Sequence, residues 1–154
     1  MKATEDIAEG DVALNLALLP QLLGFHLRMA HVAIYRDFMA ALSELDITQK
    51  QAATLFLIDA NPGVSQVDLA ATLGADRATM MAMIDRLEAR DLLERRRSSE
   101  DRRRQELRLT DPGAALLARA KTLIVEHELK FTRHFTPAEL QTLIEALKRV
   151  YQQA

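Results

Sequence analysis

Residues 92–110, LLERRRSSEDRRRQELRLT, constrain this chain more than any other stretch. Two short apolar ends, Leu92-Leu93 and Leu107-Arg108-Leu109, read as the strands of a hairpin with an arginine-packed tip. From Arg95 to Arg108 seven arginines stand against three acids, Glu100, Asp101 and Glu106, so the window carries net +4. The whole chain is −2, which leaves −6 for everything else. An acidic chain that concentrates positive charge in one hairpin points to a polyanionic partner. Arginine is the cation whose planar fork suits phosphates and narrow minor grooves.

What precedes and follows the hairpin is helical, with start signals at regular intervals. Leu23, Leu27, Ala30, Ile34, Phe38 and Leu42 recur at three- and four-residue spacing and predict a first long helix from Val12 or Gln21 to about Leu45, with Pro20 as a kink or as its start. Thr48 and Gln51 form a capping box for a second helix to about Ala60, ended by Asn61-Pro62-Gly63. Ser65 caps a short helix, SQVDLAATL, that Gly74 terminates. Asp76 caps the next, to about Arg90. After the hairpin, Thr110-Asp111-Pro112 starts a helix to about Phe135, and Thr136-Pro137-Ala138-Glu139 starts the last. That helix carries Leu140, Leu143, Ile144, Leu147, Val150 and Tyr151 as an apolar stripe. Residues 65–90 have the spacing of a helix-turn-helix, and the hairpin makes it a winged one. The stripes of the terminal helices lie outside this unit, and a second copy of the chain is their natural partner.

The composition excludes several classes. With 154 residues the chain is one ordinary domain, and 49% apolar residues suffice for a core. It has no Cys, so disulfides and thiolate metal sites are ruled out and a reducing cytoplasm fits. The first residues are polar and acidic, unlike a signal peptide, and the apolar residues 13–25 are too few to span a bilayer, so no membrane partner is expected. Two Tyr, five Phe and no Trp offer few stacking platforms for single strands, which makes duplex DNA the natural nucleic acid.

In the helix from Asp76, Met80, Ile84 and Leu87 share one face and should pack inward. Arg77, Ala78, Met81, Ala82, Asp85 and Arg86 point the other way. In a major groove small apolar side chains meet thymine methyls, and Arg77, near the helix start, reaches base edges or phosphate. Arg86, further along, is better placed for phosphate. In the hairpin, Asp101 stands two residues before Arg103 and can hold that guanidinium by paired hydrogen bonds, leaving it preset for a groove.

The run LAATLGADRATMMAMIDRLEARDLLERRRSSEDRRRQELRLTDPG, residues 69–113, closely resembles the core of the multiple antibiotic resistance regulator (MarR-type) transcription factors. The resemblance rests on LA...LG, the helix ending IDRLEARDLLER, the hairpin DRR followed by LRLT, and the helix restarting at Thr110; helical order and length match from Asp11 to Ala154. It implies a mainly α protein with a small β wing: a winged helix-turn-helix lobe over about 46–110 flanked by dimerisation helices over about 11–45 and 111–154, all one domain. It implies an obligate homodimer on a palindromic duplex, with the helix from Asp76 in the major groove and the wing arginine in the minor groove. Asp101 and Arg103 match the family's wing Asp-x-Arg pair. The expected DNA-contacting set is Ser65, Gln66, Arg77, Ala78, Thr79, Met81, Ala82, Arg86, Asp101, Arg102 and Arg103. Met81 and Ala82 depart from the polar residues common there, and Asp91 stands where Gly is common, a place it can take in a left-handed conformation at some cost.

The resemblance also implies a small aromatic or anionic effector. Residues 22–38 resemble the first helix of members that govern breakdown of aromatic acids, some of which respond to acyl-CoA thioesters. His26, Arg28, Met29, Ala33 and Arg36 form the expected effector set, with an arginine on the carboxylate or phosphate. No cofactor or metal is expected. The four histidines, His26, His31, His127 and His134, show no ligand spacing, because His127 and His134 are seven apart on one helix. No nucleophile elbow or phosphate-cradling glycine loop is present, so an enzyme is not expected. The expected function is a cytoplasmic, dimeric, ligand-responsive DNA-binding regulator, a repressor rather than an activator. The alternatives are a non-specific DNA-architectural protein, a metal-responsive regulator of the same fold, and an adaptor that uses the wing on acidic proteins.

Overall fold

Five side-chain caps set where the helices begin. The computed structural model describes residues 14–98 and 105–152. Helix α2, Gln49–Ala60, opens on Thr48, whose hydroxyl accepts from the Gln51 N–H at 3.2 Å while Gln51 Oε1 accepts from the Thr48 N–H at 2.8 Å. Ser65 caps α3, Gln66–Thr72, and Asp76 caps α4, Arg77–Ala89. Thr110 caps α5, Asp111–Thr132, and Thr136 closes a second capping box on α6, Pro137–Tyr151. Each cap satisfies N–H groups that a helix start leaves bare, and losing one costs about 1 kcal/mol.

The first helix begins next to the later of its two expected starts, Pro20–Gln21, and ends at Ala41 rather than near Leu45. Helix α1 is Leu23–Ala41, preceded by a 3-10 turn, Leu19–Gln21, that contains Pro20. Ala17 is left-handed and Leu22 is extended, so no helix runs unbroken through this stretch; Val12 lies outside the described residues. Pro20 lacks the N–H that a continuing helix would need. A second 3-10 turn, Ser43–Leu45, ends at the left-handed Asp46.

The chain divides into two units, Met1–Ala33 and Ile34–Ala154. The second contains a core in two clusters. One joins Leu55 and Ile58 of α2, Leu69 of α3, Met80, Ile84 and Leu87 of α4, Leu93 and Leu107 of the hairpin, and Leu117 of α5. The other joins Phe38 of α1 and Leu42, just past its end, to Leu45, Ile47, Ala52 and Ala120. Each fully buried apolar side chain contributes about 1.5–3 kcal/mol. Met80, Ile84 and Leu87 are all wholly buried, as the helical period of α4 requires.

The hairpin is antiparallel, β1 Leu93–Arg97 with β2 Gln105–Leu109, in the register Leu93 to Leu109, Arg95 to Leu107 and Arg97 to Gln105. It also pairs on its other edge. Val64, in the turn after α2, bridges to Leu107, whose N–H donates to Val64 O at 3.0 Å and whose carbonyl accepts from Gly63 N at 3.1 Å. Gly63, at φ 88°, sets that turn in a conformation that L side chains rarely adopt.

The apolar stripes at the two ends stay uncovered within one chain. Leu23 of α1 is 60% exposed, and no residue of α6 is buried: Leu143, Ile144 and Tyr151 are 40%, 39% and 65% exposed. Only Phe38 and Leu42, at the end of the first stripe, are core.

Candidate nucleic-acid interface

The outer face of α4 is built as its periodicity dictates. Arg77, Ala78, Met81, Ala82, Asp85 and Arg86 are all exposed, Met81 to 52%. Opposite them the helix is nailed down by Met80, Met83, Ile84 and Leu87, so the outer face has a fixed orientation. Arg77 and Arg86 form no ion pair among the described residues, which leaves both guanidinium groups available.

Two residues of the expected set are committed locally. Thr79 donates its hydroxyl to Asp76 Oδ2 at 2.6 Å, and its N–H to Asp76 Oδ1 at 2.8 Å. These bonds, the hydroxyl first, hold the Asp76 carboxyl below the usual carboxylate range. Ser65 donates its hydroxyl to Asp68 Oδ2 at 2.6 Å and accepts from the Asp68 N–H at 3.2 Å. Gln66 is half-buried at the start of α3. Asp101, Arg102 and Arg103 lie outside the described residues.

The hairpin arginines are less free than a count of charges suggests. Arg96 pairs with Glu94, and Arg108 pairs with Glu106 at 3.3 Å. Arg95 reaches across to α4, with Nη2 on Asp85 Oδ1 at 2.5 Å and Nη1 on Glu88. Its backbone N–H also donates to Glu88 Oε1 at 3.3 Å. In the sequence Arg95 counts only toward the hairpin's net charge, whereas the fold commits it to α4. The part legible in the sequence is that Asp85 and Glu88 stand three apart and so are neighbours on α4; that they meet Arg95 is set by the fold.

The C-terminal end of α4 is tied by hydrogen bonds between distant residues. Arg90 donates to Asp46 O at 2.5 Å and to Leu45 O at 3.1 Å, which anchors the end of α4 to the turn before α2. Asp91 is left-handed at φ 55°, as expected of a residue standing where glycine is usual. Its carbonyl accepts from the Thr110 hydroxyl at 2.5 Å, and the Thr110 hydroxyl oxygen in turn accepts from the Gly113 N–H at 3.1 Å, capping α5.

The five residues expected to hold an effector are all exposed. His26 donates Nε2 to Pro20 O at 2.8 Å and stacks edge-on to Phe25. A separate cavity of about 560 Å³ opens between the end of α1, the start of α2 and the end of α4, lined by Met39, Leu42, Ile47, Gln51, Arg86 and Arg90. No cluster of three or more metal-ligating side chains occurs among the described residues. His127, one of the four histidines weighed as ligands, is a core residue bonded to Asp37. No helix among the described residues is long and apolar enough to cross a membrane.

Known proteins share this arrangement. The pattern of the MarR family matches residues 45–104. A candidate transcriptional regulatory protein for the hcr operon of Thauera aromatica is 36% identical over 132 residues, 85% of this chain and 80% of that protein. The structure of a transcriptional repressor, CouR, bound to a 23-mer DNA duplex is 39% identical and superposes with a TM-score of 0.84 over 90% of this chain and 98% of that one. The CouR repressor bound to p-coumaroyl-CoA is 36% identical, with a TM-score of 0.82 over 92% of this chain and all of that one. A winged helix-turn-helix with its α4 face turned outward, an arginine hairpin behind it, and this degree of likeness to DNA-bound repressors together mean that the chain belongs to the MarR family of DNA-binding transcriptional regulators.

Proposed function

We propose that the protein is a cytoplasmic, ligand-responsive repressor that binds a palindromic operator as a homodimer. Residues 46–110 form the DNA-binding lobe, and residues 11–45 and 111–154 form the dimer body. Helix α4 enters the major groove, with Arg77 on base edges and Arg86 on phosphate, and Arg103, oriented by Asp101, enters the minor groove. The observation that carries the reading is the outer face of α4: two unpaired arginines flank exposed Ala78, Met81 and Ala82 on a helix whose opposite face is fully buried. The bare stripe of α6 supports the dimer, since in water such a stripe needs a partner.

The effector is an aromatic acid or its CoA thioester, held near His26, Arg28, Met29, Ala33 and Arg36. The likeness to a repressor that binds p-coumaroyl-CoA supports this class. Effector binding favours a dimer whose two recognition helices no longer match successive major grooves, about 34 Å apart.

The test begins with a duplex selected from random-sequence DNA by the intact protein. Footprinting should protect one palindrome, and sedimentation at micromolar concentration should give a dimer. Added p-coumaroyl-CoA should release the duplex and stabilise the protein by about 2.7 kcal/mol at 100 times its dissociation constant. Uniform protection of all DNA, or a stable monomer of the intact chain, overturns the reading. If Arg36→Ala and His26→Ala both respond normally to a verified effector, this face of α1 is not the pocket.

A further inference from the structure

We infer that Arg95 does not contact DNA but positions it: by gripping Asp85 and Glu88 it locks the wing to helix α4, so that both DNA-facing elements present one rigid surface. The inference rests on the DNA-binding reading above and adds a role for a residue that the charge pattern would place on phosphate.

The strand period is the starting point. Leu93 and Arg95 share the inner face of β1, and the residue opposite Arg95 is the wholly buried Leu107. A cation pointing inward at that place must be paired, because an unpaired charge is costly away from water. Arg95 is the pairing's result: its side chain is 20% exposed, against 61% for Arg96 on the outer face.

The pairing also has the right shape to fix orientation. Both terminal nitrogens are used, on two different carboxylates, and the backbone N–H of the same residue adds a third contact to Glu88. Asp85 and Glu88 are three apart on α4 and therefore neighbours on one side of it. The two other described ion pairs of the hairpin, Arg96 with Glu94 and Arg108 with Glu106, stay within one strand and fix nothing between elements. Asp85 lies on the outer face beside Arg77 and Met81 and is 56% exposed. Left alone there it would repel phosphate, so the grip also neutralises an anion at the interface.

Positioning and direct contact predict opposite signs for the isosteric double variant Asp85→Asn/Glu88→Gln. It removes two negative charges and frees Arg95. If Arg95 reaches DNA, binding tightens on selected and random duplexes alike. If Arg95 positions the wing, we expect the selected duplex to bind about 10-fold more weakly, ~1.4 kcal/mol, while random duplex binds as well or better. Arg95→Lys should recover part of the loss seen in Arg95→Ala, because an ammonium satisfies one carboxylate but cannot fork between two. Glu88→Gln and Arg95→Ala should be non-additive on the selected duplex. Circular dichroism and melting check that each variant is folded; if Arg95→Ala is not, the carboxamide double variant decides alone. Failure of the parent to bind any duplex would sink the DNA-binding reading itself. A parent that binds, with a double variant that grips the selected duplex as tightly or more so, sinks only the positioning role.

Discussion

His127 Nδ1 sits 2.7 Å from Asp37 Oδ2, which joins α5 to α1 through a histidine that is only 1% exposed. Phe38 and Phe131 present edges to the imidazole at 5.4 and 5.2 Å, and Lys130 Nζ reaches both Asp37 oxygens at 3.0 and 3.1 Å. The Nδ1–H donates to the carboxylate, while Nε2 is buried without a hydrogen bond, 4.0 Å from Glu128 Oε1. His127→Ala should cost on the order of 2–3 kcal/mol, since it opens a hole and removes Asp37's buried partner. Urea denaturation measures it.

The same carboxylate sets an acid limb. The His127 hydrogen bond first, and that of Lys130 next, hold the Asp37 pKa below its ordinary 3.8. A carboxyl depressed in the folded state contributes stability that is fully present above the unfolded value and is lost as pH falls through the folded one. Asp37→Asn should therefore lower the melting temperature by a constant amount near neutrality, and the gap to the parent should narrow below about pH 4. A gap that widens on acidification contradicts this assignment.

Gly113 is held against the hairpin's start. A Cβ there would lie 1.8 Å from Leu92 O and 2.7 Å from Leu92 C, both backbone atoms, so α5 or the strand must move. Gly113→Ala should destabilise by about 3 kcal/mol or more despite its better helix propensity. Equilibrium unfolding that shows no loss would mean that the first turn of α5 yields easily.

Arg77 and Arg86 should separate base reading from phosphate contact. Arg77→Ala should weaken the selected duplex more than random DNA, by about 1–3 kcal/mol if it holds a base edge. Arg86→Ala should weaken both alike and reduce the salt slope by about one. Fluorescence anisotropy across a salt series reads both; equal losses on the two DNAs for Arg77→Ala would move it to the phosphate class.

In the wing, Asp101→Ala makes the protein more positive, so bulk electrostatics alone predicts tighter binding. Orientation of Arg103 by Asp101 predicts weaker operator binding with little change in melting temperature. Arg103→Ala should also cost more than Arg96→Ala or Arg97→Ala, although each removes one positive charge. If Asp101→Ala matches or exceeds the parent at the same salt, the preset arginine is discarded.

The sequence by itself determined where helices α2 to α6 begin and which way α4 faces. The capping contacts at Thr48, Ser65, Asp76, Thr110 and Thr136 span three residues, so the chain needs no tertiary partner to form them. Met80, Ile84 and Leu87 recur at the helical period, and burial follows from that spacing. Asp91 is left-handed because the helix must end there, whatever residue occupies the site.

Only the tertiary structure decided the fate of individual charges. Strand alternation turns Arg95 inward and Arg96 outward, but only the fold clamps the one between two acids of α4 while the other pairs along its own strand. The difference depends on how the hairpin folds back on the helix. Arg90 finds carbonyls 44 and 45 residues away, His127 finds Asp37 at a separation of 90, and Val64 adds a bridge that no local pattern announces. Periodicity tells which face of an element is apolar or polar, but it carries no information about what stands opposite. That information arises only when distant segments meet, and there an unpaired charge or a bare carbonyl is costly enough to select one partner.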